Sequence, residues 1–208
     1  IESMHFKTLK IMNAHFSNYP YLFGNKPSIG DFGMIAPLYG HLGRDPAPLS
    51  LMQINAPRLF RWVERMNRSE PDIGEFADKS TDFLANDEIP ETLIDVLKHF
   101  STDFIPETVA AYNSVSQWLE TNKDLPAGTV AEREVGSCTF EIDGIKIDAV
   151  AQPFRFYLLQ RLHNKFDSLS ETDRADVQQL LKDCHMEEVL NLRLSREMGR
   201  ANNLEVWL

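Results

Sequence analysis

The residues best suited to nucleophilic or metal chemistry are Cys138, Cys184 and the six histidines His5, His15, His41, His99, His163 and His185. Their spacing argues against both uses. No two of them stand at the intervals that close a zinc site, and there is no CxxC pair and no HExxH. Cys184 and His185 are adjacent on a helix-like stretch, so their side chains point apart. Cys138 adjoins a strand-like run and reads as a buried structural thiol. Glu141 and Asp148 are charges of a hairpin, not an acid–base pair. A Gly-rich phosphate loop and a nucleophile elbow are also missing. The expectation is no catalytic, cofactor-binding or metal-ligating residue in this chain.

One spacing does carry a specific chemistry. Ser28 and Asp31 read as a helix N-capping box. The Ser28 hydroxyl can accept from the unpaired backbone N–H of Asp31, and the Asp31 carboxylate can reach back to the N–H of Ser28. The carboxylate also faces the positive end of the helix dipole. Phe32, Ile35, Ala36 and Tyr39 follow on one face, which predicts a buried helix. Losing the box through Asp31→Ala is expected to cost about 1–2 kcal/mol.

The elements around this box are read from periodicity. Residues 1–17 form a helix with Met4 or His5, Leu9, Met12 and Phe16 on its inner side. Pro37 predicts a kink near Gly33–Pro37, with the helix ending near Gly40–Gly43. Arg44-Asp45-Pro46-Ala47-Pro48 reads as a turn. Pro57 opens a helix with Leu59, Phe60, Val63 and Met66 inside and a solvated face of Arg58, Arg61, Glu64, Arg65 and Arg68. The acidic stretch with Glu70, Asp72, Glu75, Asp78, Asp82, Asp87 and Glu88 reads as a linker or loop over 71–89. Pro90 and Pro106 each open a helix. The run from Thr139 to Asp148 turns at Asp143-Gly144, a type I′ signal, and pairs Ile142 with Ile145 and Glu141 with Lys146. Pro153 opens a helix with Phe154, Leu158, Leu162 and Phe166 in line. Ser170 and Asp173 form a second capping box, before Val177, Leu180, Leu181 and Cys184. Leu190 to Leu208 reads as a helix followed by a tail docked by Trp207. The fold class is mainly α, a helical bundle with one small β-hairpin at about residues 139–148.

Charge narrows the partners. Lys+Arg 21 against Asp+Glu 31 gives a net charge of −10. That field repels nucleic acid and anionic membranes, so neither is expected as a partner. No apolar run is long enough for a membrane helix, and no signal peptide pattern occurs. Two cysteines without a disulfide framework point to a reducing, cytoplasmic compartment.

The window Tyr21-Leu22-Phe23-Gly24-Asn25-Lys26-Pro27-Ser28-Ile29-Gly30-Asp31-Phe32 resembles the start of the buried helix in the C-terminal domain of glutathione transferases. Pro27 departs from the larger aliphatic residue usual before the cap, so its staple against Phe32 is weaker. The run Ala56 to Met66 resembles the family's next helix. The resemblance implies a single helical domain over 1–208. Within it, 1–70 is the glutathione-transferase C-terminal-like core, 71–89 the acidic linker or loop, and 90–208 a helical extension with the hairpin. It also implies a substrate-side role. The family's helical domain supplies apolar walls for a small apolar electrophile or other small molecule, and a homodimer is a possible assembly. A Tyr, Ser or Cys on an upstream thioredoxin-like domain activates glutathione, and that domain's motif does not occur here. The chain begins at Ile1, which reads as a fragment or a processed form. Glutathione would then be a cofactor of the full-length protein and not of this chain, which is expected to be inactive alone. The alternative is a non-catalytic interaction module, a role that such helical domains take in translation factors and synthetase complexes.

Overall fold

A computed structural model describes residues 2–68, 75–76 and 81–208. The fold is mainly helical, with small antiparallel strand pairs. The chain divides into two compact units, one ending at His99 and one starting at Phe100.

The N-terminal unit is built from α1 (Glu2–Asn18), α2 (Ile29–Pro37), α3 (Pro46–Asn55) and α4 (Pro57–Met66). The helix α1 buries Leu9, Met12, His15 and Phe16, one side of the helix. Phe16 stacks on Trp62 of α4, with ring centroids 4.8 Å apart. Between α1 and α2 the chain turns at Gly24, whose φ of +109° disfavours any side chain. A Cβ there would also stand 2.9 Å from the Leu84 nitrogen. That close approach lets Leu84 N–H donate to the Phe23 carbonyl and Asn25 N–H to that of Asp82. Asp82 and Leu84 of the expected linker therefore pair with the turn that leads to the capping box.

Pro37 changes the winding of its helix without stopping the chain's rotation. It lacks the N–H that an α-turn needs, and Leu38–Leu42 continue as a π-turn up to Gly43. The expected turn at Arg44–Pro48 is different: Pro46 opens α3. Its missing N–H falls in a first helical turn, where it has no helical partner to lose. The inner face of α4 also shifts. Trp62 and Arg65 are buried with Leu59 and Val63, while Phe60 and Met66 are only partly covered.

The helices expected at Pro90 and Pro106 are one, α5 (Glu91–Thr121), with Pro106 inside it. The division between the units falls within this helix. In the C-terminal unit, Ala111, Val115 and Leu119 of α5 join a core with Phe156, Leu159, Val189, Leu192, Met198 and Trp207. The strands β1 (Ser137–Ile142) and β2 (Ile145–Val150) pair as read, with Ile142 opposite Ile145 and Glu141 opposite Lys146. Asp143 and Gly144 both take positive φ, as a type I′ turn requires. The helices α6 (Phe154–Asp167) and α7 (Glu171–Asp183) follow.

A second hairpin replaces the expected C-terminal helix and tail. It joins β3 (Met198–Ala201) to β4 (Leu204–Trp207) through Asn202 and Asn203, at φ 49° and 64°. Met198 faces Trp207 across it, and both are buried. The neighbouring segment adds a third edge, with Gly128 N–H donating to the Trp207 carbonyl at 2.7 Å. Trp207 stacks on Trp118 at 5.9 Å, so Trp207 does anchor the C-terminus, from a strand.

Candidate functional site

The capping box places a fully buried carboxylate in the N-terminal unit. Ser28 has extended backbone and its Oγ accepts from Asp31 N–H at 3.4 Å. The Asp31 carboxylate is fully buried and accepts four donors. Oδ2 takes the Ser28 N–H at 2.8 Å and the Ser28 hydroxyl at 2.7 Å. Oδ1 takes the Leu22 N–H at 3.1 Å and the Trp62 indole N–H at 3.0 Å. A carboxylate offers about four lone-pair sites, so this one is saturated. It is placed to tie the turn before α2, the start of α2 and α4 together, and has no acceptor left for a substrate proton. The Leu22 and Trp62 donors were not readable from the spacing. A Trp in the adjoining helix of an Asp-capped pair is the signal that could have found one of them.

His15 lies close by. Its Nε2 donates to the Tyr21 carbonyl at 3.3 Å, and Nδ1 stands 2.9 Å from the Thr92 hydroxyl. Burial lowers its pKa below 6.5, against the pull of the Tyr21 carbonyl and the Asp31 charge. The imidazole is held neutral and structural.

The expected solvated arginine face of α4 is organised differently. Arg58, Arg61 and Arg65 all reach the Glu75 carboxylate, at 2.8, 3.4 and 3.1 Å. Arg65 is buried, donates to the Pro20 carbonyl at 2.9 Å, and lies over the Tyr21 and Phe76 rings. Three guanidiniums at helical spacing serve an acid of the expected linker, because 58, 61 and 65 share one side of the helix. Asp82 of the same acidic stretch pairs with Lys26 at 3.5 Å. Glu70, Asp72 and Asp78 lie outside the described residues.

The remaining candidates stay apart. Cys138 is buried, and its thiol pKa is raised by burial first and by Glu107 second, with Arg155 opposing. Glu107 and Arg155 form an ion pair, and Arg155 also donates to the buried Thr108 hydroxyl at 2.8 Å. Cys184 is buried, while His185 is exposed. His163 makes a 2.6 Å contact with the Val189 carbonyl. Thr139 donates to Asp148 at 2.7 Å within the hairpin. At α7, Ser170 accepts from Asp173 N–H at 3.2 Å and donates its hydroxyl to the Asp173 carboxylate. Among the described residues no cluster of His, Cys, Asp or Glu could hold a metal ion, and no helix is long and apolar enough to cross a membrane.

This arrangement of helices around a saturated Asp lies inside one matched stretch. Residues 3–70 match the family model described as glutathione S-transferase, C-terminal domain. Over that stretch the chain is similar to this family. The match covers α1 to α4 and therefore every residue that contacts the Asp31 carboxylate. No curated protein matches the chain, and no solved structure does. Within the glutathione S-transferase C-terminal domain segment, α2 departs from the fully buried helix that its apolar spacing predicts. Ile29 is 87% and Phe32 61% exposed, and Tyr39 is exposed as well. Asp31 alone is buried within α2, because the carboxylate faces α4 and turns the Phe32 side outward.

Proposed function

We propose that this chain is the helical, substrate-side part of a glutathione-transferase-like protein. The observation that carries the reading is the outward apolar face of α2, set on a matched and rigidly capped helix. Ile29, Phe32 and Tyr39 offer an apolar wall for a small electrophile, with the box fixing its angle. Thiol activation belongs, in this reading, to a thioredoxin-like domain of the full-length protein, where glutathione would bind. Saturated Asp31 and buried His15, whose two ring nitrogens are engaged by Tyr21 and Thr92, supply no free base for that step. Positioning is what the helical part contributes. A cytoplasmic location and a homodimer belong to the same proposal. The non-catalytic interaction module remains the competing reading, since an exposed apolar helix face also suits protein contact.

The test compares residues 1–208 with the protein translated from the full reading frame, using glutathione and a generic aryl halide. The isolated chain is expected to give no turnover above buffer. The full-length protein is expected to turn over, and Phe32→Asp should raise KM for the halide more than it changes kcat. A folded full-length protein without turnover would favour the interaction module.

A further inference from the structure

The helix α6 carries two apolar faces, and the core uses one. Phe156, Leu159 and His163 are buried. Phe154, Leu158 and Leu162, of the row read as standing in line with Phe166, are 49%, 47% and 43% exposed. At a rise of about 1.5 Å per residue this row is roughly 12 Å long. Arg161 and Lys165 project from the same side, since each lies within about 20° of Phe154 around the helix. Both are exposed, and neither side chain makes an ion pair or hydrogen bond among the described residues. Arg155, by contrast, is committed to Glu107. Past Phe154 the row continues to the exposed Leu204, across a depression of about 400 Å³ whose lining includes Glu132, Arg133 and Glu205, with Glu205 3.8 Å from Arg200.

We propose that this face of α6 docks an amphipathic helical segment of a partner protein, one whose apolar row is flanked by carboxylates. Apolar burial would drive the contact, and the two unpaired cations would select the charge of the partner. A second copy fits poorly. Two copies of this face would each bring the cations Arg161 and Lys165, and like charges meeting across an interface are costly. An anionic membrane fits poorly as well, because the chain carries a net −10. The partner's acids lie toward Arg161 and Lys165. This surface is separate from α2, so its test is independent of the proposed transferase role.

The experiment titrates residues 1–208 into a labelled helical peptide with a leucine row flanked by glutamates, and into its twin with lysine for every glutamate. Fluorescence anisotropy should show the acidic peptide bound at least about tenfold more tightly, with affinity falling as salt rises. A double variant Arg161→Glu, Lys165→Glu should reverse the preference, and Leu158→Asp should abolish binding to both, with circular dichroism unchanged. Should the double variant fail to fold, the peptide comparison and salt dependence on the wild-type chain still decide. Equal affinity for the two peptides, no binding to either, or an unreversed preference in the folded double variant overturns the proposal. So does tighter binding to phosphatidylserine vesicles than to the acidic peptide, or a dimer in sedimentation that Leu158→Asp dissociates.

Discussion

The N-terminal unit fully buries a carboxylate, Asp31, whereas the C-terminal unit fully buries an indole, Trp207. Around Asp31 the contacts are directional. Four donors at 2.7–3.1 Å converge from α2, α4 and the turn between α1 and α2. Around Trp207 they are dispersive, with Trp118 stacked on it and Met198 across the hairpin. A polar hub fixes angles between helices but is costly when a single partner is lost. An apolar core spreads its stabilisation over many contacts and tolerates changes of similar shape. Only the first kind leaves a short signature in a sequence.

The largest expected effect is in the apolar unit. Trp207→Ala removes the stacked indole and leaves a cavity, and should lower stability by about 3–5 kcal/mol in urea denaturation. Trp207→Phe should keep most of it, since shape is largely retained. Next comes Asp31→Ala, at about 3–4 kcal/mol by the same measurement. That exceeds what a lone capping box implies, because Leu22 N–H and Trp62 N–H would also be left buried without an acceptor. A loss of only about 1 kcal/mol would reduce Asp31 to an ordinary cap and dissolve the contrast between the units.

The contrast also explains what could be read in advance. The box at Ser28 and Asp31 is local, three residues apart, and its chemistry is in the residue types. The first hairpin was legible for the same reason, through Asp143-Gly144. The second was not. Asn202-Asn203 is a weaker type I′ signal, and its strands are only four residues each. They hold because segment 128–131 pairs with β4, a long-range fact that no local pattern carries. Arg65 was misplaced, and Trp62 was given no face, for a related reason. Both have polar partners distant in sequence, in Asp31 and Glu75, and those partners outweigh the apolar spacing of α4. The α6 row was legible as apolar but not as outward, because periodicity cannot rank two apolar faces of one helix.

Two smaller effects sharpen the comparison. Asn203→Ala should cost about 1 kcal/mol, because a Cβ-bearing residue without a short polar side chain is strained at φ 64°. Asn203→Gly should be neutral or stabilising in the same thermal melt. The smallest effect is pH-dependent and belongs to the polar unit. His15 has a folded-state pKa lowered by burial. Its contribution is complete above the ordinary value of 6.5 and is lost as pH falls from there through the lowered folded value. Denaturation midpoints of the wild type should therefore fall over that acid window more than those of His15→Gln, which cannot titrate.

The most direct test of the polar hub is a double-mutant cycle between Asp31→Ala and Trp62→Phe. These residues stand 31 positions apart in sequence and meet through one 3.0 Å hydrogen bond. Each single variant should destabilise in urea denaturation, and the pair should be less than additive, with a coupling of about 1.5–3 kcal/mol for a bond to a charged acceptor. Additive losses would mean that the indole and the carboxylate act independently, and that Asp31 does not hold α4 to the start of α2.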